Sequence, residues 1–155
     1  MSQVNSPMGR ILVGVDGSAG SAAALRWAAR LALAAGAEVV AVHVLDPSAE
    51  DVRPLGLPRA IFNEADWREA VGEELDATWC EPLARAGVRH RTRVVEGRPG
   101  PCLAEVAGQE HADLVVTGHR GLSGLAELLH GSVSAYLTHH APCPVAVVPP
   151  EPQAA

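Results

Sequence analysis

Alternation of short aliphatic runs with longer helix-type segments places this chain in the α/β class, as a three-layer sandwich built on a parallel sheet. Three observations carry that assignment. Five β-type runs punctuate the 155 residues, and four are nearly continuous in valine, leucine, isoleucine and alanine, as strands covered on both faces require. Helical segments separate the runs, so the connections are crossovers between parallel strands, which are right-handed. Hydrophobic residues make up 48% of the chain, enough for one domain over residues 1–155 with a substantial core.

The elements follow in order. Arg10-Ile11-Leu12-Val13-Gly14-Val15 is the first run, and it leads through Asp16-Gly17-Ser18 to a helix predicted over 21–35. That helix is rich in alanine and leucine, with Gly36 as its stop. Residues 38–45 form the second run. The stretch 46–62 carries Pro47, Pro54 and Pro58 and no period, which suits a surface connection or a flap over a ligand. Between 63 and 86, Trp67, Val71, Leu75, Trp79 and Leu83 recur at every fourth residue, an apolar stripe that drifts around a helix. Pro82 should disturb the last turn of that helix, and Gly87 should end it. The third run, 90–95, alternates charged and apolar residues, as an edge strand does. Pro99-Gly100-Pro101 opens a short helix over 102–109, and 113–117 is the fourth run. A last helix over 132–140 stops before Pro142, and 144–148 is the fifth run. The tail 149–155 is expected to be extended or disordered.

Composition removes several functions. The formal charge is −6, against the clustered cations that nucleic-acid binding needs. All twelve cations are arginine, which excludes a lysine P-loop and any Schiff-base mechanism. Cys80, Cys102 and Cys143 are odd in number, widely spaced and without a C-x-x-C, so they read as thiols in a reducing compartment. Residues 1–7 lack the pattern of a secretion signal, and no apolar run approaches the roughly 20 residues of a membrane span. The expected setting is the cytoplasm, away from membranes. No two of the seven histidines are four apart, so a dedicated transition-metal site is not expected. No G-x-S-x-G elbow is present, which argues against a serine hydrolase.

Phosphate-binding features concentrate in one segment. Val115-Val116-Thr117-Gly118-His119-Arg120-Gly121 is followed, after nine residues, by Gly131-Ser132-Val133-Ser134 at a predicted helix start. Glycine lets backbone N–H groups approach an anion, and a helix N-terminus offers unpaired N–H groups and positive dipole to the same anion. Ser132 adds a hydroxyl and Arg120 a cation, while Leu125, Leu128 and Leu129 anchor the intervening stretch. The other informative turn is Val15-Asp16-Gly17-Ser18. If the first and fourth strands are neighbours, both turns line one crevice at the strand ends, where open α/β sheets bind ligands. Nucleotide binding is the expected function. Asp16 has three roles open to it: capping the next turn, accepting from a ribose hydroxyl, or holding Mg²⁺ or Mn²⁺ beside phosphates.

Gly118-x-x-Gly121, nine residues and Gly131-Ser132, lying between an apolar strand and Ala141-Pro142-Cys143-Pro144-Val145, together resemble the ATP-binding universal stress proteins. Ile11 to Ser18 and His43-Val44 fit the same family, and the likeness extends over about residues 9–149. It implies a five-stranded parallel sheet of order 3-2-1-4-5, the adenine nucleotide alpha hydrolase-like arrangement. It also implies homodimers joined along 144–148, and ATP at the strand ends with Mg²⁺ or Mn²⁺ on the phosphates. By position, Gly14 and Asp16 fall beside the nucleotide, Val44 meets adenine through its backbone, and Thr117 and Gly118 border the ribose. Gly121, Gly131, Ser132, Val133 and Ser134 surround the phosphates, and Arg120 is either a phosphate clamp beside them or a solvated surface arginine. His119 and His130 depart from the family pattern and bring groups that titrate near neutrality.

The implied role is a nucleotide-dependent regulatory module in the stress response, acting on an unidentified protein partner. The alternatives are a slow ATP hydrolase or nucleotidyl-transfer enzyme, a cyclic-AMP binder, and a nucleotide-free dimeric scaffold. Catalysis has only Asp16, His119 and Arg120 to draw on, and the transferase pair H-x-G-H is absent. The glycine spacing counts against the scaffold. Gly118→Val or Gly131→Val is expected to abolish ATP binding and to leave the fold intact.

Overall fold

Strands β1 (Arg10–Gly14), β2 (Glu38–Leu45), β3 (His90–Glu96), β4 (Leu114–Gly118) and β5 (Val145–Val148) pair in parallel throughout, in the order β3-β2-β1-β4-β5. The computed structural model describes residues 8–47, 59–119 and 132–152. β1 is central: Ile11 aligns with Val39 on one side and with Leu114 on the other. Successive side chains of a strand point to opposite faces. Ile11 and Val13 accordingly meet Ala24, Ala28, Leu75 and Leu83, whereas Leu12 joins Val40, Val42, Leu103, Val106 and Leu137 on the other face. The two clusters are the two interfaces of a three-layer sandwich.

Helix α1 (Ala19–Ala35) starts two residues ahead of expectation, because the hydroxyl of Ser18 caps it by accepting from the Ser21 N–H. Gly36, at φ 69°, ends it in the left-handed conformation. The predicted single helix over 63–86 is instead two helices, α2 (Glu64–Glu74) and α3 (Glu81–Ala86), joined by a π turn at Leu75–Trp79. Cys80 N–H reaches back five residues to the Leu75 carbonyl at 3.0 Å. An apolar residue at every fourth position advances about 40° per step on a regular α-helix. The wider π turn takes back part of that advance, and Trp67, Val71, Leu75 and Leu83 all stay buried. The break falls at Cys80, just ahead of Pro82, which lies in the first turn of α3, where its missing N–H has no partner to lose.

Helix α4 (Pro99–Gln109) begins at Pro99 rather than at Cys102, for the same reason. Helix α5 (Ser132–His140) has the expected bounds. β3 is an edge strand, as its charges implied, and Arg68 donates to its Val94 carbonyl at 2.8 Å. Across the start of the sheet, Arg91 and Arg93 converge on the carboxylate of Glu110, and Arg10 and Arg91 pair with Glu38. The hydrogen bond from Arg91, helped by Arg93, holds the Glu110 carboxyl far below the usual carboxylate range, at about 2. Residues 48–58, and with them most of the anticipated connection or flap, lie outside the described residues; Arg59–Ile61 form a single 3₁₀ turn.

Candidate functional site

The strand order reverses between β1 and β4, so α1 leaves β1 on one face of the sheet and α5 lies on the other. A crevice opens between them at the carboxyl ends of the strands. Beyond Gly14 the chain remains tied to β2, with Val15 N–H donating to the Val42 carbonyl at 2.9 Å, and then it turns. Gly17 makes the turn at φ 79°, a conformation that L side chains rarely adopt. The Asp16 carboxylate accepts from the Ser18 N–H at 2.9 Å and from the Ser18 hydroxyl. Ser18 Oγ accepts in turn from Ser21 N–H at 3.1 Å, and Ser21 Oγ donates to the Ser18 carbonyl at 3.1 Å. Asp16 therefore does brace the cap of α1, whatever else it does, and the amino end of a 17-residue helix is held at the crevice.

The lining divides by polarity. Val42, Val44, Leu103 and Val133 form an apolar half, and Asp16, Ser18, Ser21 and Thr117 form a polar one. Of the expected residues, Gly14, Asp16, Val44, Thr117, Gly118 and Val133 line this cleft together. Ser132 is exposed at the first position of α5 and Ser134 is buried; neither is among the described lining residues. Arg120, Gly121, Gly131, the three anchoring leucines and His130 lie outside the described residues. Backbone N–H of His119 donates to the Val148 carbonyl at 2.9 Å, which extends the β4–β5 ladder past Gly118.

One glycine in the lining is required by packing, and a second is tightly enclosed. A Cβ on Gly118 would sit 2.6 Å from the carbonyl carbon and oxygen of Gly20, in the first turn of α1. A Cβ on Gly14 would sit 2.9 Å from Leu103 Cδ1. Gly118 is thus where β4 and α1 touch backbone to backbone, and a substitution there cannot leave the fold untouched, contrary to expectation. Ser21 and Leu103 line the cleft without having been singled out, and Ser18 and His43, noted only within motifs, line it without having been given a role. The serines had a legible signal, a Ser-x-x-Ser pair ahead of an alanine run. Leu103 had none, because it reaches the cleft through contacts distant in sequence.

Asp16 is the single carboxylate among the described lining residues. No group of three histidine, cysteine, aspartate or glutamate side chains among the described residues is placed to hold a metal ion. Among the same residues, no helix is long and apolar enough to cross a membrane.

Known proteins share this arrangement. The chain is 35% identical over 146 residues to a universal stress protein of Methanocaldococcus jannaschii, covering 90% of this chain and 81% of that one. It is 36% identical over 139 residues to a universal stress protein of Thermus aquaticus, covering 89% and 96%. Among solved structures, a universal stress protein in complex with cAMP superposes with a TM-score of 0.65 at 28% identity, covering 91% of this chain and 96% of that one. The model of the universal stress protein family itself matches residues 8–149. Both turns, the strand order and nearly the whole length fall within that match: the chain belongs to the universal stress protein family.

Proposed function

We propose that the cleft binds an adenine nucleotide and that the chain acts as a nucleotide-dependent regulatory module. The observation that carries this is the convergence of the capped α1 terminus and the β4 end on one crevice with an apolar half and a polar half. Adenine lies against Val44 and Leu103, held by the Val44 backbone. The ribose lies by Thr117 and Gly118, with Asp16 accepting from its hydroxyls. Phosphates run toward Arg120, Gly121 and the Gly131-Ser132-Val133-Ser134 stretch at the start of α5. Small-molecule sites of this kind are mostly apolar with a few placed polar groups.

ATP is the ligand we favour, with Mg²⁺ or Mn²⁺ on its phosphates. Mg²⁺ binds through one or two carboxylates plus phosphate oxygens and water. Asp16 can supply one such carboxylate, and because Ser18 already bonds its Oδ1, most of the ligands would come from the nucleotide. Cyclic AMP is the second reading, favoured by the similar protein solved with that ligand. Titration calorimetry with ATP and Mg²⁺, AMP and cyclic AMP separates them. Micromolar affinity for ATP supports the first, a preference for cyclic AMP the second, and no heat from any of the three rejects both. Phosphate release at saturating ATP and Mg²⁺ tests turnover, which a regulatory binder lacks.

We also propose a homodimer through the open edge of β5. Val147 is exposed there, whereas on the opposite edge Arg68 takes up a carbonyl of β3. Val147→Arg should convert a dimer into a monomer in sedimentation; a wild-type monomer at micromolar concentration would contradict the pairing.

A further inference from the structure

We infer, resting on the nucleotide site proposed above, that His43 and Trp79 are positioning residues that hold the β1–α1 turn in its binding shape. His43 is a polar side chain in a strand otherwise aliphatic from Val39 to Leu45 and only 5% exposed, a placement that is unfavourable unless its ring is bonded. Its Nδ1 lies 2.6 Å from the Val15 carbonyl oxygen. A carbonyl can only accept, so Nδ1 carries the proton and donates. Consecutive β2 residues therefore grip Val15 from both sides: the Val42 carbonyl takes its N–H, and the His43 ring bonds its C=O. A side chain continues the ladder one residue past the end of β1. The next residue is Asp16.

Trp79 secures the other side of the turn. Its indole meets the imidazole at a tilt of 62°, with ring centroids 5.2 Å apart. The same indole covers Gly17, where a Cβ would come within 2.7 Å of Cζ2. Trp79 ends the π turn, so the irregularity that interrupts the 64–86 helical segment also places an indole against the site. Such π turns are frequent at functional sites. Carbonyl, imidazole, indole and Gly17 form one closed contact chain beneath Asp16 and Ser18.

The test compares His43→Asn, whose amide N–H stands where Nδ1–H stood, with His43→Leu, which keeps bulk and loses the donor. Each is titrated with ATP and Mg²⁺ and with AMP, at a temperature where circular dichroism shows it folded. His43→Leu should weaken binding roughly tenfold, equivalent to about 1.4 kcal/mol, while His43→Asn stays within about threefold of wild type. Equal affinity in a folded His43→Leu overturns the inference, as does an equal loss in both variants. If His43→Leu does not fold, Trp79→Phe decides: a folded protein with several-fold weaker binding supports the arrangement, and wild-type affinity overturns it. Hydrogen exchange of the Gly17 and Ser18 amides, measured without ligand, separates the two layers. Faster exchange in the variants, with no nucleotide binding even in wild type, keeps the positioning role and rejects the nucleotide reading. Unchanged exchange with intact binding rejects the positioning role alone.

Discussion

Alanine at position 118 should unseat the amino end of α1. The added Cβ would lie 2.6 Å from the carbonyl carbon and oxygen of Gly20 and 3.2 Å from its Cα. Comfortable carbon contacts begin near 3.5 Å, so the β4 end and the first turn of α1 must separate by about 1 Å. The opposing atoms are backbone and cannot rotate aside. Overpacking of this kind costs about 1–3 kcal/mol. In a domain of this size each kcal/mol lowers the melting temperature by about 2–4 °C, so Gly118→Ala should melt about 2–12 °C below wild type, and Gly118→Val lower still. The turn that moves carries Asp16 and Ser18, and ATP affinity should fall with it. Scanning calorimetry of the three proteins, with titration of ATP and Mg²⁺ into each, measures both. Identical melting temperatures would refute the backbone contact. Lost affinity at unchanged stability would return Gly118 to the anion-access role that the motif alone suggested.

Other consequences are open to simple measurement. Gly108 is exposed within α4 with no atom within 4 Å of a Cβ, so Gly108→Ala should stabilise by about 0.5–1 kcal/mol; a lower melting temperature would contradict that placement. Ser18→Ala removes the cap of α1 and a donor to Asp16, and should cost about 1 kcal/mol in denaturant unfolding; no change would mean that the cap is dispensable. The Glu110 carboxyl, bonded by Arg91, titrates at about 2 in the fold against an ordinary 4.5. Its contribution is complete above the ordinary value and is lost as pH falls from 4.5 toward 2. Glu110→Gln should be less stable at neutral pH and lose less between those limits, whereas parallel acid unfolding curves would contradict the assignment. Burial, with the Asp76 charge as a lesser cause, pushes the Cys80 thiol up to about 12, so a disulfide reagent should titrate Cys102 and Cys143 in the native protein and Cys80 only after unfolding.

The sequence carried the strands and less of what lies between them. Runs such as Val39-Val40-Ala41-Val42 are readable because burial on both faces leaves only aliphatic residues, and β2 occupies the expected residues. The strand order came from the family pattern, since composition does not encode which neighbour a strand chooses. The 63–86 segment deceived for a definable reason: a four-residue spacing fits an α-helix with drift and equally a helix relaxed by a π turn. In the site, Gly118 was visible as a glycine, but its partner Gly20 lies 98 residues away, and nothing local announces a backbone contact. The roles of His43 and Trp79 were illegible for the same reason, because a lone histidine in a strand and a tryptophan on an apolar stripe read as core. The β1–α1 turn was legible, being built from residues within five positions of one another.

Titrating the isotopically labelled protein with ATP and Mg²⁺ while following backbone amide resonances tests the site most directly. Saturable shifts are expected at Val15, Asp16, Ser18, Val44, Gly118 and Ser132 to Ser134, with the start of the sheet around Glu38 and Glu110 unmoved. Shifts centred elsewhere, or none at millimolar nucleotide, would contradict the proposed site.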